Sequence, residues 1–367
     1  MMYQALYRKY RPKTFEEIVG QNHIISTLSN QVKAGKVVHA YLFTGSRGTG
    51  KTSTAKIFAR AINCLENNNG SPCGKCASCL AMNDAVNMDI IEIDAASNNR
   101  VDEIREIREK VKFTPVNGKF KVYIIDEVHM LTDSAYNALL KTLEEPPAHI
   151  VFILATTEPQ KLPATILSRC VRFDFSLVSL EDLTAHLKNI FNAEGIKYEE
   201  EAVKAIAVAG EGSVRDTLSI ADSVSAFCGG NITLNQVLDI LGLNNNQSLI
   251  DVTNAIFQKD LGKCLELVDK AYRQGKNMSV FAKDLSVHFR NLLVIKTCAN
   301  PNEILCLPEN IFESFKEQAL KLETKDLMMA MRVFGSIESE LRYALSPKIL
   351  IETAIISVLS GEELKKN

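Results

Sequence analysis

Residues 39–53 read HAYLFTGSRGTGKTS, and this stretch decides the fold class. Positions 45–52 within it match G-x-x-x-x-G-K-T, between an apolar run that predicts a strand and a segment with helical spacing. Glycines here let the backbone turn its N–H groups toward phosphate oxygens, and the helix start adds a partial positive charge. An accidental glycine-rich turn is the alternative, but the full pattern stands in the context that a phosphate-binding loop requires. The candidate nucleotide ligands are Gly45, Ser46, Arg47, Gly48, Thr49, Gly50, Lys51, Thr52 and Ser53.

Two residues of this loop and two acidic residues downstream predict hydrolysis of the nucleotide. Lys51 is expected to reach the β- and γ-phosphates, and the Thr52 hydroxyl is expected to ligate Mg²⁺. The apolar run KVYII at 121–125 is followed by Asp126, which suits the Mg²⁺ shell, and by Glu127, which can polarise the attacking water. A surface acidic pair at a strand end is the alternative. Together with the phosphate loop, the pair favours a nucleotide hydrolase over a protein that only binds nucleotide.

Three further polar residues are weaker candidates. Thr157 follows the apolar run 150–156, where a hydroxyl at the strand end can sense the γ-phosphate. Arg169 is a candidate for an arginine that stabilises the developing charge on a neighbouring subunit's nucleotide, and Arg215 could contact the nucleotide of its own chain. An ordinary strand-end threonine and two surface arginines are the alternatives that spacing alone leaves open.

A cysteine cluster predicts a metal site. Cys64, Cys73, Cys76 and Cys79 follow the spacing C-x8-C-x2-C-x2-C with no histidine among them. Four thiolates at this spacing suit tetrahedral Zn²⁺ in a closed, structural site. The alternative is a set of reduced thiols or a redox pair. We expect a zinc module at about 64–79, inserted between the first helix of the nucleotide-binding core and its second strand.

The pattern along the chain predicts an α/β fold followed by helices. Short apolar runs at 38–44, 89–94, 121–126 and 150–156 alternate with helical segments, which indicates a parallel sheet. Strand signals stop near residue 177, and the remainder has helical spacing with breaks at glycine-containing turns. We therefore expect a nucleotide-binding domain over 1–178, a small helical domain over 179–242 and a second helical domain over 243–367.

Composition excludes several classes of protein. The chain of 367 residues is 46% hydrophobic and 23% charged, which is the balance of a globular protein rather than of a disordered or fibrous one. A net charge of -2 means that any nucleic-acid contact needs a local basic patch, and residues 1–60 carry ten Lys/Arg against two Asp/Glu. No signal-peptide core and no apolar run long enough for a membrane span are present, so we expect a cytoplasmic protein without membrane contact.

The motifs together resemble the gamma/tau family of ATPase subunits of bacterial DNA polymerase III clamp loaders, which are AAA+ proteins. The resemblance extends over essentially the whole chain. It is carried by the four cysteines and by RKYRPKTFEEIVGQ at 8–21, HAYLFTGSRGTGKTS, EIDAASNN at 92–99, KVYIIDEVHML, NALLKTLEEPP at 137–147, FILATTEPQKLPATILSRC at 152–170 and GSVRDTLS at 212–219.

This resemblance implies roles for the candidate residues. Lys51 and Thr52 match Walker A, Asp126 and Glu127 match Walker B with the water-activating acid, and Thr157 matches sensor 1. The two arginines Arg169 and Arg215 match the trans-acting finger and sensor 2. The residues that match the family's adenine-binding segment are Tyr7, Tyr10, Arg11, Pro12 and Val19.

The resemblance also implies an architecture, cofactors and partners. It implies an AAA+ ATPase domain with the zinc module, a helical lid over 179–242 and a helical collar over 243–367. The cofactors are ATP, Mg²⁺ and Zn²⁺. The partners are the sister subunits delta, delta prime and further gamma/tau copies in a five-subunit ring, the sliding clamp and primer–template DNA. The chain would be the ATP hydrolase of the DNA polymerase III holoenzyme, a nucleotidyltransferase complex. Arg100, before a predicted helix over 101–112, is a candidate DNA-phosphate contact, with a solvated surface arginine as the alternative.

Alternatives and one departure from the family remain. A different AAA+ ATPase, such as a branch-migration helicase motor or a remodelling chaperone, is disfavoured by the cysteine cluster and by the sequence Ser168-Arg169-Cys170. A non-hydrolysing scaffold subunit is disfavoured by the complete Walker motifs. The family's tau form continues into polymerase- and helicase-binding regions that this sequence does not show. We therefore expect a shorter or truncated form that makes neither contact.

Overall fold

The computed structural model describes residues 4–66, 69–81, 88–97, 109–241, 246–305, 307, 309–341 and 343–361. Two compact units divide the chain between Ile232 and Thr233. Arg100 and most of the helix predicted over 101–112 lie outside the described residues. Within the described part of the chain, no helix combines the length and the apolar character that crossing a membrane requires.

The first unit is built on a parallel five-stranded sheet with the order β2-β3-β4-β1-β5. Side chains of successive strand residues point to opposite faces, and both faces are covered. Tyr41 and Phe43 pack against Ile24 and Phe58 on one face, whereas Leu42 packs with residues such as Leu139 on the other. The strands are β1 Ala40–Gly45, β2 Ile90–Asp94, β3 Lys121–Asp126, β4 Ile150–Thr156 and β5 Val171–Phe175.

Helices cover the sheet and continue beyond it in the first unit. Helices α2 and α3 pack against the face that carries Tyr41 and Phe43, and helix α5 packs against the face that carries Leu42. The helices of this unit are α1 Leu6–Lys9, α2 Asn22–Lys33, α3 Lys51–Asn63, α4 Ala77–Ala81, α5 Asp133–Glu144, α6 Ala164–Leu167, α7 Leu180–Glu194, α8 Glu200–Ala209 and α9 Val214–Cys228. Single 3₁₀ turns occupy Phe15–Glu17, Val128–Met130 and Pro159–Lys161.

The register of the sheet brings the predicted motifs to one edge. Thr44 of β1 pairs with Thr156 of β4, and Ile125 of β3 pairs with Leu154 of β4. Because parallel strands end at a common edge, the phosphate loop after β1, the acidic pair at the end of β3 and Thr157 after β4 lie side by side. The expectation of an α/β fold with a parallel sheet is confirmed.

Strands outside the four expected runs are also present. The fifth, VRFDF, is an edge strand in which only Phe173 and Phe175 are buried, so its charged alternate residues hide it from a search for apolar runs. A two-residue parallel pair, β6 Lys197–Tyr198 with β7 Asn231–Ile232, joins the ends of the otherwise helical segment.

The second unit is helical throughout its described residues. Its core contains Leu285 and Phe289 of α13 with Leu327 and Phe334 of α16, together with Ile351 of α17. The helices are α10 Leu234–Ile240, α11 Asn246–Phe257, α12 Leu261–Arg273, α13 Met278–Thr297, α14 Pro301–Leu305, α15 Glu309–Leu320, α16 Thr324–Leu341 and α17 Pro347–Ser360.

Candidate nucleotide site and cysteine cluster

The phosphate loop turns tightly between β1 and α3. Gly48 has φ +77° and lies so close to the start of α9 that a Cβ atom there would meet Ser213 Oγ at 1.9 Å, so only glycine fits. Val214 N–H donates to the Gly48 carbonyl across 3.1 Å, which ties α9 to the loop. Thr49 donates its hydroxyl to the Ser46 carbonyl. Open backbone at a helix start of this kind is a cradle for an anion.

Lys51 crosses the loop from the first turn of α3. It is 6% exposed, and its ammonium donates to the carbonyls of Gly45 and Ser46, both at 2.8 Å. Burial lowers the pKa of Lys51, and the nearby carboxylates of Glu127 and Asp126 oppose that shift. A buried ammonium bonded only to loop carbonyls can exchange those partners for phosphate oxygens without moving far.

The acidic end of β3 meets the phosphate loop directly. Thr52 donates its hydroxyl to Asp126 Oδ2 across 2.7 Å, so the two predicted Mg²⁺ ligands are already in contact. One hydroxyl oxygen and one carboxylate oxygen are ligands that suit Mg²⁺. Glu127 follows with φ +46°, a left-handed conformation that costs a non-glycine residue about 1–3 kcal/mol and that occurs most often at functional sites.

A polar network surrounds the Glu127 carboxylate. Thr157 donates its hydroxyl to Glu127 Oε2 across 3.1 Å. His129 Nδ1 lies 3.4 Å from the same oxygen and 2.9 Å from Thr156 Oγ1, while its Nε2 lies 3.3 Å from Glu158. His129 is thus part of the site, although it is not among the candidate residues of the sequence analysis. Its position two residues after Glu127, in a 3₁₀ turn, was the available signal.

The two candidate arginines are placed differently. Arg169 contacts Glu144 Oε1 at 2.9 Å and the Thr165 carbonyl at 2.8 Å, and none of its recorded contacts is with the phosphate loop. Arg215 is exposed at the start of α9, and its guanidinium carbon lies 5.7 Å from the centre of the Tyr7 ring. The structure therefore brings Arg215, and not Arg169, to the nucleotide site of its own chain.

The N-terminal segment forms a cavity with α7. The cavity has a volume of about 560 Å³, and Tyr10, Arg11 and Val19 line it, whereas Tyr7 and Pro12 are not among its lining residues. Burial, together with a hydrogen bond to Glu194, raises the pKa of Tyr10 to about 12. Arg11 Nε lies 3.3 Å from Ser53 Oγ, which connects this segment to α3. Glu194, which also pairs with Lys9, is a partner of this segment that the motifs did not indicate.

The four cysteines converge as predicted. Their sulfur atoms all lie within 4.8 Å of one another, with Cys64 to Cys76 and Cys73 to Cys79 both at 3.9 Å. Zinc–sulfur bonds of about 2.3 Å in a tetrahedron place the sulfurs about 3.8 Å apart, so the cluster fits Zn²⁺. Burial raises the pKa of Cys76, but hydrogen bonds from the Cys79 and Leu65 N–H groups and neighbouring thiols outweigh it and lower the pKa to about 6. Such N–H donors favour the Cys76 thiolate, whereas burial raises the pKa of Cys64 and of Cys79.

Comparison with known proteins identifies the family. Three family models match successive parts of the chain. They are "DNA polymerase III, delta subunit" over 20–179, "DNA polymerase III clamp loader subunit, ATPase lid domain" over 182–230 and "DNA polymerase III subunits gamma and tau domain III" over 232–367. A solved structure of a RuvB point variant from Thermotoga maritima covers 67% of this chain and 79% of its own, with a TM-score of 0.50 and 19% identity, which shows the fold alone.

Curated relatives match nearly the full chain. DNA polymerase III subunit tau of Bacillus subtilis is 42% identical over 98% of this chain and 63% of its own length, and that of Escherichia coli is 36% identical over 98% and 56%. The chain therefore spans between half and two thirds of the length of these tau relatives. DNA polymerase III subunit gamma of Buchnera aphidicola is 35% identical over 98% of this chain and 100% of its own length. Because that match leaves no part of the gamma subunit uncovered, the chain belongs to the gamma/tau subunit family of DNA polymerase III.

Proposed function

We propose that this chain is an ATPase subunit of the DNA polymerase III clamp loader. Its ATP binding and hydrolysis would drive opening of the sliding clamp and its loading onto primer–template DNA. The observation that carries the proposal is the 2.7 Å hydrogen bond from Thr52 to Asp126, which joins Walker A to Walker B. Lys51, buried beside both motifs, supplies the cation that a phosphate chain requires.

Phosphate binding, Mg²⁺ coordination and orientation of the attacking water are assigned to different residues. Lys51 and the loop N–H groups bind the phosphates, and Thr52 and Asp126 would hold Mg²⁺. When bound, Mg²⁺ neutralises charge that develops on the phosphate oxygens. Glu127 orients the attacking water, and Thr157 fixes the direction in which the Glu127 carboxylate points. Arg215 and Ser213, at the start of α9, lie at the phosphate loop and would report nucleotide occupancy to the helical segment that follows.

The base of the nucleotide is assigned to the cavity beside α7. Tyr10, Arg11 and Val19 give it apolar and cationic surface for adenine and phosphate. The acidic residues Glu16, Glu17 and Asp182 also line it. Tyr7 and Pro12 stay proposed contacts at its margin. The Arg215 guanidinium carbon lies 5.7 Å from the centre of the Tyr7 ring, which places Tyr7 beside the helix that is bonded to the phosphate loop.

Zn²⁺ is proposed as a structural metal at Cys64, Cys73, Cys76 and Cys79. The sulfur spacing and the N–H···S hydrogen bonds support it. Bound zinc would cross-link a loop rich in glycine and asparagine that lacks an apolar core of its own. Its contribution is to folding rather than to the chemistry of hydrolysis, because all four ligand positions are taken by protein.

The domain division and the partners are part of the same proposal. We assign 1–178 to the ATPase domain, 179–242 to the lid and 243–367 to a collar that holds the ring together. Delta, delta prime and further gamma/tau copies would complete a five-subunit ring that handles the clamp and DNA in the cytoplasm. Arg169 supports an assembly of this kind, because its recorded contacts leave it outside its own chain's nucleotide site.

A reconstituted loading assay tests the proposal. Purified chain alone is expected to hydrolyse ATP slowly, and sister subunits, sliding clamp and primed DNA together are expected to stimulate it strongly. Clamp loading should require hydrolysable ATP for repeated cycles. Unstimulated turnover, or repeated loading on a non-hydrolysable analogue, would reject the clamp-loader function. Stimulation by branched DNA without any clamp would instead favour a branch-migration motor.

A further inference from the structure

The loop that carries the cysteines is bonded to the N-terminal segment that lines the proposed base site. Ser71, between Cys64 and Cys73, accepts a hydrogen bond from the Phe15 N–H across 3.1 Å. The same hydroxyl donates to Glu16 Oε2 across 3.0 Å. Phe15 is 2% exposed, so no solvent replaces Ser71 as the partner of this N–H group. The Ser71 side chain therefore bonds both to the backbone at the start of the 3₁₀ turn Phe15–Glu17 and to the Glu16 side chain within it.

This turn leads directly into the wall of the cavity. Glu16, Glu17, Ile18 and Val19 all line the 560 Å³ space beside α7. A second contact lies two residues before the turn, where Arg60 donates to the Lys13 carbonyl across 3.1 Å. The N-terminal segment is thus positioned from the cysteine side of the domain, opposite to the α7 helix that closes the other side of the cavity.

The cysteine loop is also continuous with the phosphate-binding helix. Helix α3 begins at Lys51 and ends at Asn63, one residue before the first ligand of the cluster. Ser78, the neighbour of Cys79, donates its hydroxyl to the Asn63 carbonyl across 2.7 Å. Arg60 lies on the same helix, so its hydrogen bond to the Lys13 carbonyl joins this helix to the N-terminal segment. The cysteine loop is therefore bonded to the N-terminal segment through Ser71 and, through Ser78, to the end of α3 that lies farthest from the phosphate loop.

We propose that Ser71 is a positioning residue that makes nucleotide affinity depend on metal occupancy of the cysteine cluster. A metal ion fixes the loop, the fixed loop places the Ser71 hydroxyl, and Ser71 orders the turn that forms the base-site wall. Because linkage is reciprocal, nucleotide must strengthen metal binding by the same factor. This inference rests on the proposed ATP and zinc sites and adds a coupling between them that neither site requires.

The first test compares variants by the Kd of a fluorescent ATP analogue with Mg²⁺. Ser71→Ala is expected to weaken binding by about threefold to tenfold, because a buried N–H group loses its partner and the turn loosens. Ser71→Thr keeps the hydroxyl and should restore the affinity. Ser29→Ala is the matched control, because Ser29 donates to Asn69 of the same loop from α2 and not from the base-site wall. Its Kd should stay within about twofold of wild type.

The second test measures metal and nucleotide together in the intact chain. Removal of zinc by a chelator should weaken binding of the fluorescent ATP analogue more in wild type than in Ser71→Ala. Conversely, the analogue should slow the transfer of zinc to a chromogenic chelator in wild type but not in Ser71→Ala. Equal metal dependence in both proteins would overturn the coupling, as would an equal loss in Ser29→Ala. Circular dichroism at each condition separates these results from unfolding. If zinc-loaded wild type binds no nucleotide at all, the proposed function fails, and this inference fails with it.

Discussion

The Thr157 hydroxyl and the Glu127 carboxylate are 3.1 Å apart and join the ends of two neighbouring strands. The Glu127 backbone is left-handed, and its carboxylate is only partly buried. His129 approaches the same carboxylate oxygen at 3.4 Å from the following turn. A γ-phosphate arriving at Thr157 would therefore compete for the hydroxyl that holds Glu127, so one hydrogen bond can connect nucleotide sensing with water activation.

Removing that hydroxyl should affect hydrolysis more than binding. In Thr157→Ala we expect turnover to fall about 10-fold to 100-fold, the range for loss of one group that positions or stabilises the reacting atoms. The Kd for ATP should change by less than about threefold, because Thr157 is not part of the phosphate loop. Single-turnover hydrolysis and equilibrium binding measure the two quantities. Thr157→Ser should recover most of the rate; failure of the serine variant would mean that the methyl group, and not the hydroxyl, matters.

Lys51 should be required for nucleotide binding itself. Lys51→Ala removes a buried ammonium that faces Glu127 and Asp126, and we expect loss of measurable ATP binding or turnover. The matched control is Lys56→Ala in the same helix, because Lys56 pairs with Glu92 away from the loop. It should keep near wild-type binding. Turnover that persists in Lys51→Ala would show that the loop assignment is wrong.

Arg169 should act on a neighbouring subunit. Since its recorded partners are Glu144 and the Thr165 carbonyl of its own chain, Arg169→Ala should leave ATP binding intact. Hydrolysis in the assembled ring should fall by about 10³-fold or more, the magnitude for a trans-acting arginine. Glu144→Ala removes only an exposed ion pair and should change turnover less than about fivefold. Loss of nucleotide affinity in Arg169→Ala would place this residue at its own chain's site instead.

Local motifs predicted the catalytic edge of the sheet because each motif is contiguous and ends a buried strand. Gly45, Asp126 and Thr157 lie at one edge because parallel strands end at a common edge, and apolar runs that alternate with helical segments indicated a parallel sheet. The cysteines converge for the same reason, since a short loop confines them.

Contacts between distant segments could not be predicted from the sequence. Tyr10 pairs with Glu194, 184 residues away, and Ser71 pairs with Phe15 and Glu16. Hydroxyl and carboxylate side chains are common in any sequence, so nothing in the local sequence marks these residues as partners. Strand β5 was missed because its exposed positions are charged, and its place in the sheet comes from pairing with β1 rather than from its own hydrophobicity.

The cysteine cluster should contain one metal ion in each chain. Elemental analysis of protein purified without chelator should give about one zinc per chain, as a single tetrahedral site requires. Cys73→Ser should lower that ratio and the thermal stability together, because the loop has no apolar core to replace the metal. Cys264→Ser is the control for removal of a thiol in the second unit, where Cys264 is buried among apolar side chains. It should keep the zinc. A metal-free protein with wild-type stability would contradict the site.

Stability of the second unit should depend on pH through His288. This imidazole is 1% exposed, its Nε2 donates to Gln318 Oε1 across 2.7 Å, and its Nδ1 has no hydrogen-bond partner among the residues that the structure describes. Burial lowers the pKa of His288 to about 4, although the Gln318 hydrogen bond opposes this. The unfolded chain, with a histidine pKa of about 6.5, therefore binds more protons as pH falls from about 6.5 to about 4, so stability is lost over that range. At about pH 5 the loss should be about 2 kcal/mol relative to neutral pH.

Urea unfolding of wild type and His288→Gln, which keeps a donor for Gln318 but cannot titrate, measures this difference. A variant whose free energy of unfolding falls with acid as steeply as that of wild type would show that other groups carry the dependence.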